Sequence, residues 1–211
     1  MLRISEIFYS LQGESNTVGL PTVFVRLTGC PLRCNYCDTS YAFSGGVKMS
    51  LDDILAEIKT YDCKTVCVTG GEPLAQPACL ALLTQLSDNY FNVSLETSGA
   101  LDVSKVDSRI VKVMDLKTPS SGEVEKNRYE NIEFLTTKDQ VKFVIASDDD
   151  YNWSKKIMAD YDLAQRCHVL FSPVVPPQNP TELAEKILAD RLPVRFQIQL
   201  HKLLWQDAQG K

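Results

Sequence analysis

The amino-acid sequence predicts an α/β fold, namely a partial (β/α)6 barrel that resembles an incomplete TIM barrel. Short β-branched runs alternate with stretches of helical spacing, which is typical of parallel strands joined by crossover helices in a barrel or an open sheet. The chain has 211 residues, and a complete eightfold barrel typically needs about 250. Loops are expected at 119–122 and 173–180, but no linker or repeat divides the sequence. Residues 1–211 are therefore expected to form one domain.

Seven runs rich in β-branched and aromatic residues predict the strands of this fold. In chain order they are 22–27, 65–69, 92–96, 110–114, 141–145, 168–171 and 194–198. Their number suits a barrel of six or so strand–helix units.

Four stretches between these runs have the spacing of amphipathic helices. The first follows Ser50, which is a plausible N-cap, and the second begins near Pro77. The third begins at Asp148. The fourth opens at Asn179 with a proline at the first helical position and Glu182 where a capping box places an acid. Their expected apolar positions are Leu51, Ile54, Leu55 and Ile58; Leu80, Leu83 and Leu86; Trp153, Ile157 and Tyr161; and Leu183 and Ile187.

Composition argues against two classes of partner. The 22 Lys and Arg residues against 27 Asp and Glu residues give a net charge of -5, which is the wrong balance for a protein that binds nucleic acid through its phosphates. No apolar run approaches the roughly 18 residues of a membrane span, and the N-terminus lacks the features of a signal peptide. We therefore expect a cytoplasmic protein with neither a nucleic-acid nor a membrane partner.

Three of the seven cysteines, Cys30, Cys34 and Cys37, form a C-x3-C-x2-C motif after the first predicted strand. An odd cysteine count argues against a disulfide framework and favours reduced thiols. Three thiolates can hold a four-iron cluster and leave one iron open. A zinc site would need a fourth ligand, and structural thiols remain a further alternative.

The other cysteines are expected to be buried or incidental thiols: Cys63, Cys67, Cys79 and Cys167.

The cysteine motif, with Tyr36 before its last cysteine, resembles the cluster motif of the radical S-adenosylmethionine (SAM) superfamily. The second predicted strand ends in Thr-Gly-Gly-Glu-Pro, which is similar to the GGEP motif of that superfamily. Alone, this sequence could be only a turn. Because this sequence follows a predicted strand and lies downstream of the cysteines, the resemblance implies a barrel of the radical SAM type. It also implies that the backbone of Gly70, Gly71 and Glu72 contacts the amino group of SAM.

Three further segments resemble the 7-carboxy-7-deazaguanine synthases: the Leu-Gln-Gly-Glu sequence at 11–14, an arginine at position 26, and Cys-Asp-Thr at 37–39. This resemblance spans most of the chain. It implies a dimeric lyase of queuosine and deazapurine biosynthesis that uses a 4Fe-4S cluster, SAM and Mg²⁺, with an electron donor such as flavodoxin. The implied reaction begins when a 5′-deoxyadenosyl radical takes a hydrogen from C6 of 6-carboxy-5,6,7,8-tetrahydropterin. Ring contraction with loss of ammonia then gives 7-carboxy-7-deazaguanine, and SAM is regenerated.

The resemblance also implies which residues bind the substrate. Arg26 suits planar, two-point binding of a carboxylate, although the residue alone could equally be a surface arginine. Glu14 could face solvent, and His201 could be a structural histidine. The implied substrate-binding residues are Leu11, Gln12, Gly13, Glu14, Arg26, Thr69 and His201.

By the same resemblance, the hydroxyl of Thr39 is a magnesium ligand, which is acceptable because Mg²⁺ keeps few protein ligands. From sequence alone Thr39 would be a turn residue. The remaining implied SAM-binding residues follow predicted strands, where a barrel gathers its ligands. They are Ser98, Asp115, Leu116, Lys117, Ser172, Pro173 and Val174.

Three departures from the family pattern and two alternative functions remain. The chain has Gln-Leu-His-Lys at 199–202 where the family commonly has Gln-Thr-His-Lys, and Asp115 opens an element that reads Ser-Pro-Lys in some relatives. Residues 205–211 extend beyond the point where some members end. The alternatives are an activase for a glycyl-radical enzyme, which shares the cysteine spacing but does not explain residues 11–14, and a zinc-binding module without catalysis.

Overall fold

The computed structural model describes residues 1–206, 208 and 210. In this part of the chain the strands form one nine-stranded sheet. They are β1 (Leu2–Leu11), β2 (Pro21–Leu27), β3 (Val47–Met49), β4 (Thr65–Gly70), β5 (Asn92–Thr97), β6 (Val111–Leu116), β7 (Gln140–Ile145), β8 (His168–Pro173) and β9 (Arg195–Phe196). The helices are α1 (Leu51–Thr60), α2 (Cys79–Asp88), α3 (Asp148–Asp160), α4 (Leu163–Arg166), α5 (Pro180–Ala189) and α6 (Leu200–Trp205).

The strand order is β3-β1-β2-β4-β5-β6-β7-β8-β9. From β2 onward each neighbouring pair is parallel, whereas β1 pairs antiparallel with both β2 and β3. The carboxyl ends of the parallel strands therefore meet at one edge of the sheet. This arrangement confirms the α/β prediction and agrees with a partial barrel.

Three strands differ from the sequence prediction, and two connections contain no α-helix, as the four predicted helical stretches imply. Strand β1 was not predicted because a register shift between Ile4 and Glu6 breaks its apolar alternation, and β3 is only three residues long. No α-helix links β5 to β6, where the segment 98–110 carries the buried side chains of Val103 and Ile110. The connection between β6 and β7 contains only short 3-10 helices, and the last predicted strand shortens to two residues.

Local capping explains where two of the predicted helices begin. The Ser50 hydroxyl accepts a hydrogen bond from Asp53 N at 3.1 Å, and the Asp53 carboxylate accepts from Ser50 N at 3.3 Å, which completes a capping box. At α5 the Asn179 side chain accepts from Thr181 N at 2.9 Å. Glu182 closes no such box there, because its carboxylate accepts from the Asn179 side-chain amide instead.

Two apolar clusters hold the helices against the sheet. One packs α1 and α2 on the first strands, with Val25, Val68 and Leu83 buried. The other packs α3 and α5 on β6 to β8 around Phe143 and Phe171. Burial of these faces leaves the carboxyl ends of the strands as the open edge of the sheet. None of the described helices has the length and apolar composition needed to cross a bilayer.

Candidate active site

A cavity of about 580 Å³ lies at the carboxyl ends of the parallel strands. Its walls come from the ends of β1, β2 and β4 to β8, from the cysteine-containing segment 29–39, and from α6. The cavity brings together most of the predicted site residues, whose individual ligand roles stay predictions. These are Leu11, Gln12, Gly13, Glu14, Arg26, Cys30, Cys34, Cys37, Thr39, Thr69, Gly70, Gly71, Ser98, Asp115, Lys117, Pro173, Val174 and His201.

Three predicted residues lie behind the described cavity wall: Glu72, Leu116 and Ser172. The Glu72 side chain is fully buried, and its carboxylate accepts hydrogen bonds from Ser98 N at 2.7 Å, Ser98 Oγ at 2.5 Å and Thr97 Oγ1 at 3.0 Å. Any contact of Glu72 with SAM would have to use its backbone. The carboxylate instead ties the turn after β4 to the end of β5.

The cysteine loop is fixed by backbone hydrogen bonds to three other segments. Gly29 N donates to Ala42 O at 2.7 Å, Asn35 N donates to Ser121 O at 3.0 Å, and Glu72 N donates to Gly29 O at 2.8 Å. The loop therefore presents its cysteines from a fixed backbone.

The three thiols of the cysteine loop line the same cavity. All three are free, partly buried and exposed to the same cavity. No group of three Cys, His, Asp or Glu side chains within the described residues converges as it would around one metal ion. The irons of a cluster are ligated one by one, so three thiols that line one cavity suit that group. Burial raises the pKa values of Cys30 and Cys34, while Lys117 opposes this effect at both thiols.

Gly71 allows the turn after β4 to contact the cysteine loop directly. A Cβ at this position would lie 2.3 Å from Gly29 O and 2.8 Å from the Cβ of Cys30. Any side chain would therefore push the two segments apart. Gly70 makes a similar contact, because its Cβ would lie 2.3 Å from Leu27 O at the end of β2.

A row of alternating charges crosses the cavity wall. Lys142 Nζ lies 2.7 Å from Glu14 Oε2 and 3.3 Å from Asp115 Oδ2, and Lys117 Nζ lies 3.2 Å from Asp115 Oδ1. Gln199 Nε2 donates to the other oxygen of Glu14 at 2.8 Å. This row connects the predicted substrate wall to the predicted SAM wall.

The row sets the ionisation of its members. Burial alone would raise the pKa of Glu14, but the charge of Lys142 outweighs it and the pKa lies below its ordinary value. Burial would lower the pKa of Lys142, but Glu14 and Asp115 hold it well above its ordinary value. Sequence reasoning missed Lys142. The available signal was a lysine inside an otherwise apolar strand of a predicted barrel.

A second polar group surrounds Glu96 at the end of β5. Its carboxylate accepts from Thr69 Oγ1 at 3.0 Å and from Gln12 Nε2 at 3.4 Å. Glu96 was not predicted as a site residue, although it directly precedes Thr97 and Ser98 in the sequence. Because both of its donors are predicted substrate-binding residues, the carboxylate orients that part of the wall.

Helix α6 is attached to the cavity mouth through Asp38. The carboxylate of Asp38 accepts from Gln199 Nε2 at 3.2 Å and from Thr39 Oγ1 at 2.8 Å, and it lies 3.2 Å from Lys202 Nζ. Burial would raise the pKa of Asp38, but Lys202 and Thr39 hold it below its ordinary value. His201 packs on Gly13, where a Cβ would lie only 2.4 Å from His201 Nδ1.

Comparisons with known proteins agree with this geometry. Residues 24–117 match the radical SAM superfamily. The chain is 46% identical to a 7-carboxy-7-deazaguanine synthase from Chlorobaculum tepidum, over 99% of this chain and 97% of that protein. It is 40% identical to another from Koribacter versatilis, over 97% of both.

Solved structures show the same fold. A crystal structure of QueE from Escherichia coli has a TM-score of 0.79 and 24% identity, and the match covers 95% of this chain and 94% of that one. A structure of Streptococcus suis SuiB bound to S-adenosylmethionine has a TM-score of 0.57 and 12% identity, and the match covers 81% of this chain and 45% of that one.

Gly71→Ala should reduce the capacity of the protein to hold iron, because the added Cβ displaces the cysteine loop. After anaerobic reconstitution we expect the iron content to fall by roughly half or more. Glu185→Ala is the control, since Glu185 is exposed on α5, far in the fold from the cysteine loop. Iron and sulfide analysis measures the effect, and a full complement of iron in Gly71→Ala would contradict the packing argument.

Lys142→Met should lower the free energy of unfolding by about 3 kcal/mol near neutral pH, because two largely buried carboxylates lose their shared cation. Since the folded-state pKa of Glu14 is lowered, its contribution is present above the ordinary value of 4.5 and is lost as the pH falls through the folded-state pKa. The difference from wild type should therefore shrink below about pH 4.

Urea denaturation at several pH values measures this difference. Lys156→Met is the control, because Lys156 pairs with Asp160 on the surface of α3, and it should have little effect at any pH. A pH-independent loss in Lys142→Met would show that packing, and not charge, accounts for the change.

Proposed function

The chain belongs to the 7-carboxy-7-deazaguanine synthase family of the radical SAM superfamily, and we propose that its cavity binds a carboxylated pterin together with SAM. The reaction converts 6-carboxy-5,6,7,8-tetrahydropterin to 7-carboxy-7-deazaguanine with loss of ammonia, so the enzyme is a lyase. The observation that carries the proposal is that the three thiols of the cysteine loop and the guanidinium of Arg26 face one cavity. Family membership does not favour the glycyl-radical activase or the zinc module.

The substrate wall has the polar groups that a pterin needs. A pterin presents N–H donors and ring acceptors at its edge, and the carboxylate of Glu96 and the amide of Gln12 lie where they can meet such an edge. Arg26 binds the carboxylate through its two terminal nitrogens. Glu14 is held by Lys142 and Gln199, so it supports the wall. His201 packs on Gly13 and closes the wall from α6.

The remaining predicted residues of the cavity wall bind two cofactors, the cluster and SAM. Cys30, Cys34 and Cys37 hold the 4Fe-4S cluster. When bound, the cluster and SAM would supply the radical chemistry that starts the reaction at C6 of the pterin. The SAM-binding residues are those predicted from the family, namely Gly70, Gly71, Ser98, Asp115, Lys117, Pro173 and Val174 at the cavity wall, with Leu116, Ser172 and the backbone of Glu72 behind it.

The chain contributes position and fixed charge to the reaction. Lys142 Nζ stays protonated between Glu14 and Asp115, which places a permanent cation in the wall. Helix α6 covers the mouth through Asp38 and limits access of water to the reacting atoms. Because these groups are held by other protein groups before the ligands bind, little reorganisation is needed afterwards.

We further propose a magnesium ion whose protein ligand is the hydroxyl oxygen of Thr39, with substrate and water as the other ligands. Thr39 faces the cavity directly beside Cys37 and Asp38. Mg²⁺ prefers oxygen ligands and often keeps several waters, so one hydroxyl is sufficient.

The family resemblance also supports three proposals about the setting of the enzyme. They are a homodimer, a low-potential electron donor such as flavodoxin, and a cytoplasmic location. The seven free cysteines are in keeping with a reducing compartment.

Anaerobic incubation with SAM, reductant and 6-carboxy-5,6,7,8-tetrahydropterin should release 7-carboxy-7-deazaguanine. Cys30→Ala, Cys34→Ala and Cys37→Ala should each abolish both this product and 5′-deoxyadenosine, because each variant lacks one thiolate of the cluster. Cys63→Ala is the control, since Cys63 lies outside the cavity wall and its thiol donates only to backbone oxygens. Its product formation should stay within about twofold of wild type.

Chromatography of the reaction mixtures measures both products. Formation of 5′-deoxyadenosine without the deazaguanine would point to a different radical SAM reaction. Full activity in any of the three cluster variants would contradict the ligand assignment.

Thr39→Val should raise the Mg²⁺ concentration needed for half-maximal activity by roughly tenfold, because valine has the shape of threonine without its oxygen. Thr39→Ser keeps the hydroxyl and should behave as wild type. Initial rates across a magnesium titration measure the effect. The same magnesium dependence in all three proteins would refute Thr39 as a ligand.

A further inference from the structure

We propose that Glu6 and Tyr41 are positioning residues that hold the guanidinium of Arg26 so that its two terminal nitrogens face the carboxylate of the substrate. Neither residue belongs to the predicted site, and Glu6 lies behind the cavity wall. The inference rests on the proposed function for the identity of the substrate. Through Arg26, these two residues would make the site specific for a ring that carries a carboxylate.

Hydrogen bonds define the orientation of the guanidinium. Arg26 Nε donates to Glu6 Oε1 at 2.7 Å, and Tyr41 Oη donates to the same oxygen at 2.7 Å. The hydrogen bonds among the described residues use only the Nε–H of Arg26 and leave both Nη atoms for a ligand. Arg26 lines the cavity, and a planar guanidinium with both Nη atoms available can bind a carboxylate at two points.

A β-bulge places Glu6 where it can make this contact. Ile4 pairs with Leu27 across β1 and β2, and the next pair joins Glu6 to Arg26, so Ser5 is an extra residue in β1. The extra residue reverses the alternation of β1. Ile4 packs into the outer apolar core, whereas Glu6 lies on the same face of the sheet as Arg26.

The bulge itself is held by side chains. The hydroxyl of Ser5 lies 2.7 Å from the hydroxyl of Thr28, just beyond the end of β2. A regular strand would place position 5, and not position 6, opposite Arg26. Bulges commonly re-aim a side chain beside an active site, and here the re-aimed side chain is the carboxylate that binds Arg26.

Two aromatic rings lie against the guanidinium. The Cζ atom of Arg26 lies 5.7 Å from the ring centroid of Phe8 and 5.9 Å from that of Tyr41. Phe8 in turn stacks on Phe24 with centroids 4.9 Å apart. The rings and the Glu6 carboxylate thus restrict the long side chain before a ligand binds, which reduces the entropy lost on binding.

The ionisation states fit this role. Burial would lower the pKa of Arg26, but Tyr41 and Glu6 raise it above its ordinary value, so the guanidinium stays charged. Burial and the hydrogen bond to Glu6 raise the pKa of Tyr41 to about 12. Tyr41 therefore remains a hydrogen-bond donor at neutral pH.

The direct test compares binding of two probes that differ only in the carboxylate, 6-carboxypterin and pterin, to the reconstituted holoenzyme with SAM. In Glu6→Ala the dissociation constant of 6-carboxypterin should rise about tenfold, while that of pterin should not change. Glu6→Gln retains an acceptor for Arg26 Nε and should stay within about threefold of wild type. Glu125→Ala, an exposed carboxylate variant, is the control and should bind both probes as wild type does.

A double-mutant cycle separates positioning from a general structural effect. Arg26→Ala should remove the preference for 6-carboxypterin, and adding Glu6→Ala should then have no further effect, because Glu6 acts through Arg26. In steady-state assays Glu6→Ala should raise KM about tenfold and leave kcat within about twofold. Equal losses for the two probes, additive effects in the cycle, or a wild-type protein without preference for 6-carboxypterin would each overturn the inference.

Tyr41→Phe keeps the test decisive if Glu6→Ala does not fold. It removes one donor to Glu6 and retains the ring, so it should weaken 6-carboxypterin binding about two- to threefold and leave pterin binding unchanged. Wild-type binding of 6-carboxypterin in Tyr41→Phe would then overturn the proposal.

If the wild type binds 6-carboxypterin as described but forms no deazaguanine, the proposed function fails alone. If it forms product but Glu6→Ala binds both probes as wild type does, this inference fails alone.

Discussion

Backbone packing between the turn after β4 and the cysteine loop is the constraint on which the rest of the site depends. Gly71 N donates to Leu27 O at 3.1 Å, and Glu72 N donates to Gly29 O at 2.8 Å. Only glycine at position 71 leaves room for this approach. Because the buried carboxylate of Glu72 also binds Ser98, the ends of β2, β4 and β5 are fixed together. The predicted cluster ligands and SAM-binding backbone therefore share one rigid framework, and a change in either segment alters both.

Another part of the cavity wall is organised by charge. Lys142 lies between two carboxylates from distant parts of the chain, Glu14 after β1 and Asp115 in β6. A buried ion of this kind is tolerated because its partners compensate its loss of hydration. The consequence is a wall whose polar groups are positioned before any ligand arrives. Such preorganisation is what an enzyme needs to stabilise charge without first rearranging its own dipoles.

Local patterns in the sequence were sufficient to predict most of the parallel strands and the gathering of most site residues in one cavity. Cys30 and Gly71 belong to short motifs whose spacing is visible directly. Lys142, Glu96 and Glu6 could not be identified in this way, because their roles depend on partners more than 20 residues away or across the sheet. A charged residue in a strand is ambiguous until the register is known, since a shift of one residue moves it to the other face. The bulge in β1 makes such a shift.

Strand register also explains how an acidic protein can recognise an anion, because it decides where a carboxylate lies behind a cation. With a net charge of -5, the chain as a whole does not attract a carboxylate, so recognition has to be local. Four cations of the cavity wall are each held by a carboxylate, in the pairs Arg26–Glu6, Lys142–Glu14, Lys117–Asp115 and Lys202–Asp38. Each pair is neutral, so what it offers to a ligand is a set of directed N–H groups and little net charge. Directed donors distinguish ligands by the position of their oxygens, which charge alone does not do. Selectivity in this site therefore follows from where the backbone places each carboxylate behind its cation.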